Sequence, residues 1–270
     1  KPATVEVYQS DGSGDDAAEM LELRVMRAVV ALNGHLLEQA TEPGPPSEER
    51  LREVLRKANP VTLQASFATR KPIPSGYRHS VPGILVMFTM MNLLIFGGAS
   101  VASERREGVL RRLLSQPLSR GELVLGKILG LMGLGAVQTG VLLGFGTWLI
   151  GLNVARNLPE IVLVMAVYAW VASALGVLIG SVVTREDKVI AICVLAAMVM
   201  AALGGCWWPL EIVPDHVRLL GHAFPTAWTM DALQQLISFG GGLAEVWRYL
   251  LILAAYAAAA SAAAMRFFRV

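Results

Sequence analysis

Charged side chains are scarce in this 270-residue chain. Asp, Glu, Lys and Arg make up 16% of the sequence, against about 25% in soluble domains, and apolar residues make up 54%. The charges are also unevenly placed, because the first 79 residues carry ten of the 23 Lys and Arg side chains. The remainder consists mostly of long uncharged runs. This composition is typical of a membrane protein, and a net charge of +2 gives no reason to expect a nucleic-acid partner.

Motifs of catalysis are missing as well. The sequence has no HExxH or GxSxG motif and no pair of aspartates inside an apolar run, which argues against an intramembrane enzyme. The stretch GELVLGK at 121–127 matches half of a P-loop, but Ile128 stands where Ser or Thr would hold Mg²⁺. Cys193 and Cys206 lie about 20 Å apart along one predicted helix, too far for a disulfide bond. We predict no catalytic residue, metal or cofactor in this chain.

Five apolar runs are long enough to cross a bilayer as helices, which takes roughly 20 residues. None has Asp, Glu, Lys, Arg or His in its interior, where ion-coupled transporters usually carry such groups. If this protein moves a substrate uphill, the free energy has to enter from another chain. The runs are 81–102, 128–152, 161–183, 189–208 and 249–265.

Local patterns mark how these runs begin and pack. Two S/T-x-x-D/E patterns predict helix caps: Ser119 with Glu122 before the second run, and Thr184 with Asp187 before the fourth. Glycine pairs at GxxxG spacing predict close helix packing. The pairs are Gly126/Gly130, Gly140/Gly144 and Gly176/Gly180.

The connections between the runs alternate in their content of Lys and Arg. Basic connections belong in the cytoplasm, so residues 1–79 are predicted to lie outside and the C-terminus inside. Because 1–79 contain no apolar run that would export them, we expect a first transmembrane helix before Lys1, giving six spans in the complete protein. Three connections are basic, 103–127 with six Lys and Arg, 184–188 with two and 266–270 with two, whereas 153–160 and 209–245 have one each.

Two regions outside the runs have an organisation of their own. Residues 1–79 combine alternating segments at 3–8 and 61–67 with helical spacing at 15–37, which predicts a small extracytoplasmic α+β module. The segment 207–242 is rich in Trp and Pro and is predicted to form two short helices that enter the outer leaflet. The fold class is therefore mainly α: a polytopic helical membrane protein whose transmembrane domain spans 80–270.

The basic segment 103–127 carries the clearest pattern of the chain. Val109, Leu110, Leu113 and Leu114 share one helical face between arginines, which predicts an amphipathic helix along the bilayer surface. Through 80–127 the sequence resembles the ABC-2-type permeases, the membrane subunits of ABC exporters, and a less specific resemblance extends over 60–270. The matching stretches are SVPG at 80–83, ASVAS at 99–103, ERREGVLRRLL at 104–114, PLSR at 117–120, GK at 126–127 and PT at 225–226.

The resemblance implies the partners and the coupling element. Family members have six spans, with an external domain between the first two, so this chain would lack the first span. A separate P-loop ATPase would hold ATP and Mg²⁺, and a second permease copy, as homodimer or heterodimer, would complete the path. The basic helix within 103–120 would dock on the ATPase. The implied coupling residues are Glu104, Arg105, Arg106, Glu107, Gly108, Arg111 and Arg112.

The residue types of the coupling element suit such a contact. Glu104 and Glu107 lie near the predicted N-terminus of the basic helix, where the helix dipole favours negative charge. Gly108 has no side chain and would let a backbone approach closely. The arginines would contact anionic lipid or acidic grooves on the ATPase. The competing interpretation is a lipid-anchored surface helix with no partner.

We predict a multi-pass permease subunit of the plasma membrane that exports an amphipathic or lipid-like compound, such as a drug, an antibiotic or a lipid. Asn92, Gln138 and Thr139 are the most polar residues within the runs and are possible contacts along the path, although such residues more often bond between helices. The alternative from another class is a non-transporting assembly or sensor subunit whose external module binds a partner.

Overall fold

The structure, a computed structural model, describes Ala28 and residues 76–115, 117, 119–150 and 157–268. The chain divides after Ser75 into two units, of which the second is Gly76–Val270. Nearly all of the α+β module predicted for 1–79 lies outside the described residues. Within the described residues no strand occurs, so the prediction of a mainly helical chain is confirmed there.

The second unit is built from helices in a single series. Four of them are long, and α5 (Glu186–Leu203) packs alongside the first. The helices are α1 (Tyr77–Arg106), α2 (Val109–Leu114), α3 (Arg120–Ile150), α4 (Leu158–Val182), α5 (Glu186–Leu203), α6 (Asp215–Gly221), α7 (Pro225–Ile237) and α8 (Leu243–Phe267).

Four helices are long and apolar enough to cross a membrane: α1, α3 over Arg120–Trp148, α4 and α8. They coincide with four of the five predicted runs and make this a multi-pass membrane protein. Helix α5 lies at the fourth run, 189–208, but has only 18 residues, and its first turn contains Glu186 and Asp187. Its apolar part is therefore shorter than the roughly 20 residues that a span needs, and the span predicted for this run stays a prediction.

Helix α4 lies at the centre of the bundle and packs against α1, α3 and α8. It runs parallel to α1, because the Tyr168 hydroxyl donates to the Val86 carbonyl oxygen at 3.1 Å and Gly180 lies beside Gly98 further along both helices. A Cβ atom at Gly176 would come within 2.7 Å of the Leu93 carbonyl oxygen. The close packing predicted for Gly176 and Gly180 is therefore confirmed.

The glycines of α3 have a different environment. Nothing lies within 4 Å of the position that a Cβ atom would take at Gly126, Gly130, Gly140 or Gly144. The prediction of close helix packing at these two pairs is therefore wrong within the described part of the chain. The glycine spacing is the same as in α4, but no neighbouring helix covers this face of α3.

Of the two predicted helix caps, the one before α3 is present and the one before α5 is not. At the start of α3, the Ser119 amide donates to Glu122 Oε2 at 2.7 Å and the Glu122 amide donates to Ser119 Oγ at 3.2 Å, so this capping box is confirmed. At the start of α5, the N-cap residue is Arg185 and it makes no side-chain cap. Its guanidinium donates to Asp187 Oδ2 at 2.9 Å instead. The cap predicted for Thr184 and Asp187 is therefore wrong.

The two short helices predicted within 207–242 are present as α6 and α7. Helix α7 packs against α1, α4 and α8, and Thr226 Oγ1 donates to the Met200 carbonyl oxygen at 2.6 Å. Leu219 of α6 is 77% exposed. The segment is thus anchored through α7, and its entry into the outer leaflet stays a prediction.

Candidate functional site

The basic segment folds as two helices joined by a glycine. Helix α1 continues through Arg106, and α2 begins only at Val109. Between them Gly108 has a φ of 72°, in the left-handed region that side chains other than glycine rarely adopt. The prediction of one continuous coupling helix over 103–120 is therefore wrong. No atom lies within 4 Å of a Cβ built at Gly108, so this glycine serves backbone conformation and does not admit a close neighbour from the chain.

Glu104 lies in the last turn of α1, whereas Glu107 follows that helix and lies two residues before the start of α2. The dipole at a helix C-terminus disfavours negative charge, so the reason predicted for Glu104 is wrong, while Glu107 does precede a helix start. Glu104 instead forms an ion pair with Lys127 of α3, and both side chains are largely buried, at 30% and 14% exposure. Glu107 Oε1 accepts a hydrogen bond from the Ser103 hydroxyl at 2.9 Å.

Arg105 reaches the end of the central helix. Its guanidinium donates to the carbonyl oxygens of Ser181 at 3.1 Å and Val183 at 3.3 Å. The last carbonyls of a helix have no partner within the helix and carry its partial negative charge. Arg105 therefore caps the C-terminal carbonyl groups of α4 and links the C-termini of α1 and α4.

Arg106 points to a third helix. Its guanidinium forms an ion pair with Glu186 of α5 at 3.1 Å, and the Arg106 side chain is 68% exposed. An exposed pair of this kind contributes about 0–1 kcal/mol. Beside it lies an open groove of about 550 Å³ that includes Arg185 and Asp187. Most of the Arg106 guanidinium therefore remains accessible to a partner.

Glu104, Arg105 and Arg106 thus form what we name the basic junction, together with Lys127 and Glu186. Three consecutive residues at the end of α1 each contact a different helix: α3, α4 and α5. The other two coupling arginines, Arg111 and Arg112, lie on α2, beyond the Gly108 turn, and Arg112 is exposed.

The residues predicted along a substrate path do not meet at one place. Asn92 of α1 and Gln138 of α3 are half-buried and line no described cavity, whereas Thr139 is buried and lines a groove between α3 and α4. We name this the α3–α4 groove, and its volume is about 870 Å³. Its lining consists of Met132, Gly133, Ala136, Thr139, Gly140, Leu143, Gly144, Thr147, Leu158, Val162, Met165, Ala166 and Ala169.

A basic junction at the end of an apolar helical bundle is the arrangement expected from the permease resemblance, and comparison with known families decides the assignment. Residues 3–266 match the ABC-2 family transporter proteins. The chain belongs to the ABC-2 transporter family. The ATPase partner and the arrangement of permease copies stay predictions.

The curated relatives of this ABC-2 protein include proteins named as permeases. The linearmycin resistance permease protein LnrN of Bacillus subtilis is 28% identical over 187 residues, which cover 69% of this chain and 48% of the relative. The probable multidrug ABC transporter permease YbhR of Escherichia coli is 26% identical over 189 residues, covering 70% and 51%. The chain therefore spans about half the length of these relatives. Their names favour a transport permease over the assembly or sensor alternative.

Sequence analysis missed two members of the basic junction, Lys127 and Glu186. Both lie near the start of a helix that follows a basic connection, and their charges are opposite to those of Glu104 and Arg106. Complementary charges near the ends of successive apolar runs are the signal that could have identified them.

A second polar cluster lies away from the junction, between α6 and α7. His222 Nε2 is 2.9 Å from Asp231 Oδ2, and Nδ1 is 2.8 Å from the Arg218 carbonyl oxygen. Both oxygens accept hydrogen bonds, so this geometry favours the protonated imidazole, in which both ring nitrogens donate. The hydrogen bond that the His222 ring donates to Asp231 raises the pKa of His222 above its ordinary value.

This pair predicts a pH-dependent stability. Because the pKa of His222 is raised in the folded state, its stabilisation is fully present below about 6.5, the ordinary pKa of histidine, and is lost as pH rises through the raised pKa. We expect the thermal unfolding temperature of the wild type in detergent to fall as the pH rises from about 6.5 through the raised pKa of His222. In Asp231→Asn it should change less. Tryptophan fluorescence, dominated locally by Trp228, would follow the transition. An equal pH slope in both proteins would contradict the assignment.

Proposed function

We propose that this chain is the permease subunit of an ATP-driven exporter and that the basic junction receives the movement of a separate ATPase. The observation that carries the proposal is the contact of three consecutive residues, Glu104, Arg105 and Arg106, with three different helices. A displacement of the end of α1 therefore reaches α3, α4 and α5 together. This is the property that a coupling element needs.

Helix α2 supplies the surface that the ATPase would touch. The left-handed conformation of Gly108 lets α2 leave the direction of α1, and Arg112 and Arg106 present exposed positive charge on either side of the turn. An acidic groove on the ATPase would complement these charges. By the positive-inside rule this end faces the cytoplasm, which would place residues 1–79 outside.

The exported compound is proposed to be amphipathic or lipid-like. Two findings support this substrate class: relatives named for linearmycin resistance and multidrug transport, and an α3–α4 groove without a charged lining residue. ATP and Mg²⁺ would bind to the partner ATPase, and a second permease copy would complete the translocation path.

The decisive experiment is purification of the full-length protein from its native host in mild detergent, followed by mass spectrometry of the accompanying proteins. We expect a stoichiometric subunit with a complete P-loop. A permease recovered without an ATPase, under conditions that preserve a known exporter complex, would favour the non-transporting membrane subunit instead.

A charge-exchange series tests the junction itself. Glu104→Lys places two cations together in a largely buried contact, so we expect ATP-driven export to fall at least tenfold, and the double variant Glu104→Lys with Lys127→Glu to recover a substantial part. An exposed pair outside the junction provides the control, because Arg218→Asp with Asp215→Arg on α6 should change export less than threefold. Full export by the single Glu104→Lys variant would remove Glu104 from the coupling element.

A further inference from the structure

We propose that the α3–α4 groove is a binding site for an uncharged hydrocarbon chain carrying a hydroxyl or carbonyl group, which enters sideways from the bilayer. This inference rests on the proposed function as a permease and specifies where the lipid-like compound is held. Four observations support it: the volume of the groove, its lining, one hydrogen-bonding group inside it, and the direction in which it opens.

The volume fits a small-molecule ligand. Ligand sites in proteins enclose about 300–1,000 Å³, and this groove encloses about 870 Å³. One wall is formed by α3, whose backbone is not covered by side chains at Gly133, Gly140 and Gly144. No atom of the described residues lies within 4 Å of a Cβ built at any of these three glycines. The other wall is formed by side chains of α4, among them Val162 and Met165. The result is a channel along the helices rather than a round pocket.

The lining selects against charge. None of the described residues that line the groove is Asp, Glu, Lys, Arg or His. A charged group placed there would lose its hydration and find no opposite charge. The ligand segment inside the groove is therefore neutral and largely apolar.

Thr139 supplies a group that fixes the position of a ligand. Its side chain lines the groove and is only 6% exposed, yet its hydroxyl has no hydrogen-bond partner among the described residues. The other lining threonine, Thr147, already donates to the Gly144 carbonyl oxygen at 2.8 Å. A hydroxyl that meets only an apolar groove is costly to leave unpaired, and a hydroxyl or carbonyl on the ligand would satisfy it.

The groove opens where the bundle is least enclosed. Only 22% of the spanning window of α3 is buried, against 61% for α4. The large apolar side chains of α3, such as Val137, Val141 and Phe145, are more than half exposed. They face hydrocarbon once the protein is in a membrane, so a ligand reaches the groove from the bilayer without crossing water.

The test uses the purified full chain in phosphatidylcholine vesicles containing a long-chain fatty alcohol with a photoactivatable diazirine. Mass spectrometry then maps the labelled peptides. We expect label within 132–147 and 158–169, displaced by unlabelled alcohol, and reduced at least fivefold in Gly140→Leu, which fills the groove. Gly130→Leu is the matched control, since Gly130 has equally open space on α3 but does not line the groove. This variant should label like the wild type.

A second variant tests the role of the hydroxyl. Thr139→Val keeps the shape of the side chain but removes the hydrogen-bonding group, so we expect about threefold to tenfold weaker competition by the alcohol. Competition by an alkane of equal length should not change. An equal loss for alcohol and alkane would overturn the assignment of Thr139.

Other occupants would give different results. Labelling that is spread equally over exposed faces, including that around Leu251 of α8, would identify ordinary surrounding lipid and overturn the site. Efficient disulfide cross-linking between two copies of Gly140→Cys would assign the groove to a second copy of the chain. Labelling of the groove is measured without an ATPase, so it does not depend on co-purification of the ATPase. Either experiment can fail while the other succeeds, and the two proposals are therefore tested separately.

Discussion

Gly108→Val is expected to reduce ATP-driven export at least tenfold while leaving the amount of membrane-inserted protein close to that of the wild type. The φ of 72° at Gly108 costs about 1–2 kcal/mol for a residue with a Cβ atom, and more for a β-branched one. Relief of this strain would reorient α2 relative to α1 and separate Arg112 from the basic junction. A change of 1.4 kcal/mol already corresponds to a factor of ten in a rate.

The matched control is Gly108→Asn, because asparagine tolerates the left-handed conformation. No atom of the described residues lies within 4 Å of a Cβ at this position, so neither variant introduces a clash with them. We expect Asn to retain most of the export activity. Wild-type export by the Val variant would show that the turn between α1 and α2 has no role in coupling, whereas equal losses for Val and Asn would point to direct contact of the ATPase with the Gly108 backbone.

Gly180→Ala is expected to lower the free energy of unfolding by about 2–3 kcal/mol, the upper part of the range for overpacked cores. A Cβ atom at Gly180 would lie 2.5 Å from the Gly98 carbonyl oxygen and 2.9 Å from its Cα atom. These are backbone atoms, which cannot move aside like the end of a side chain, so α1 and α4 would have to separate. Unfolding in mixed detergent micelles would measure the loss.

Gly140→Ala is the control for this prediction. Gly140 has the same GxxxG spacing but open space around its Cβ position. Alanine has a higher helix propensity than glycine, so it should raise the free energy of unfolding, by less than about 1 kcal/mol. If the two variants unfolded alike, the α1–α4 contact would not determine the stability of the bundle.

The membrane-spanning helices could be predicted because length and hydropathy act locally. A run of roughly 20 apolar residues specifies a span whatever surrounds it, and four of the five runs became such helices. The fourth run, 189–208, differs in extent from α5, which begins with a charged turn before the run and already ends at Leu203.

Local patterns that depend on neighbours could not be resolved from the sequence. Gly140/Gly144 and Gly176/Gly180 are indistinguishable as motifs, but within the described residues only the second pair is in close contact with another helix. Asp187 was available to cap α5, yet Arg185 binds it instead. The same limit applies to the candidate site: charge identified the coupling segment, whereas its division at Gly108 and its contacts with Lys127 and Glu186 depend on three-dimensional placement.

The contacts of Arg105 have a consequence for how ABC-2 sequences vary. Its partners at positions 181 and 183 are carbonyl oxygens of the main chain, which every amino acid supplies. Substitutions of Ser181 or Val183 therefore need no compensating change at position 105, and the two sites need not vary together in related proteins. Methods that infer spatial proximity from correlated substitutions would overlook this contact, even though it joins the ends of two closely packed helices.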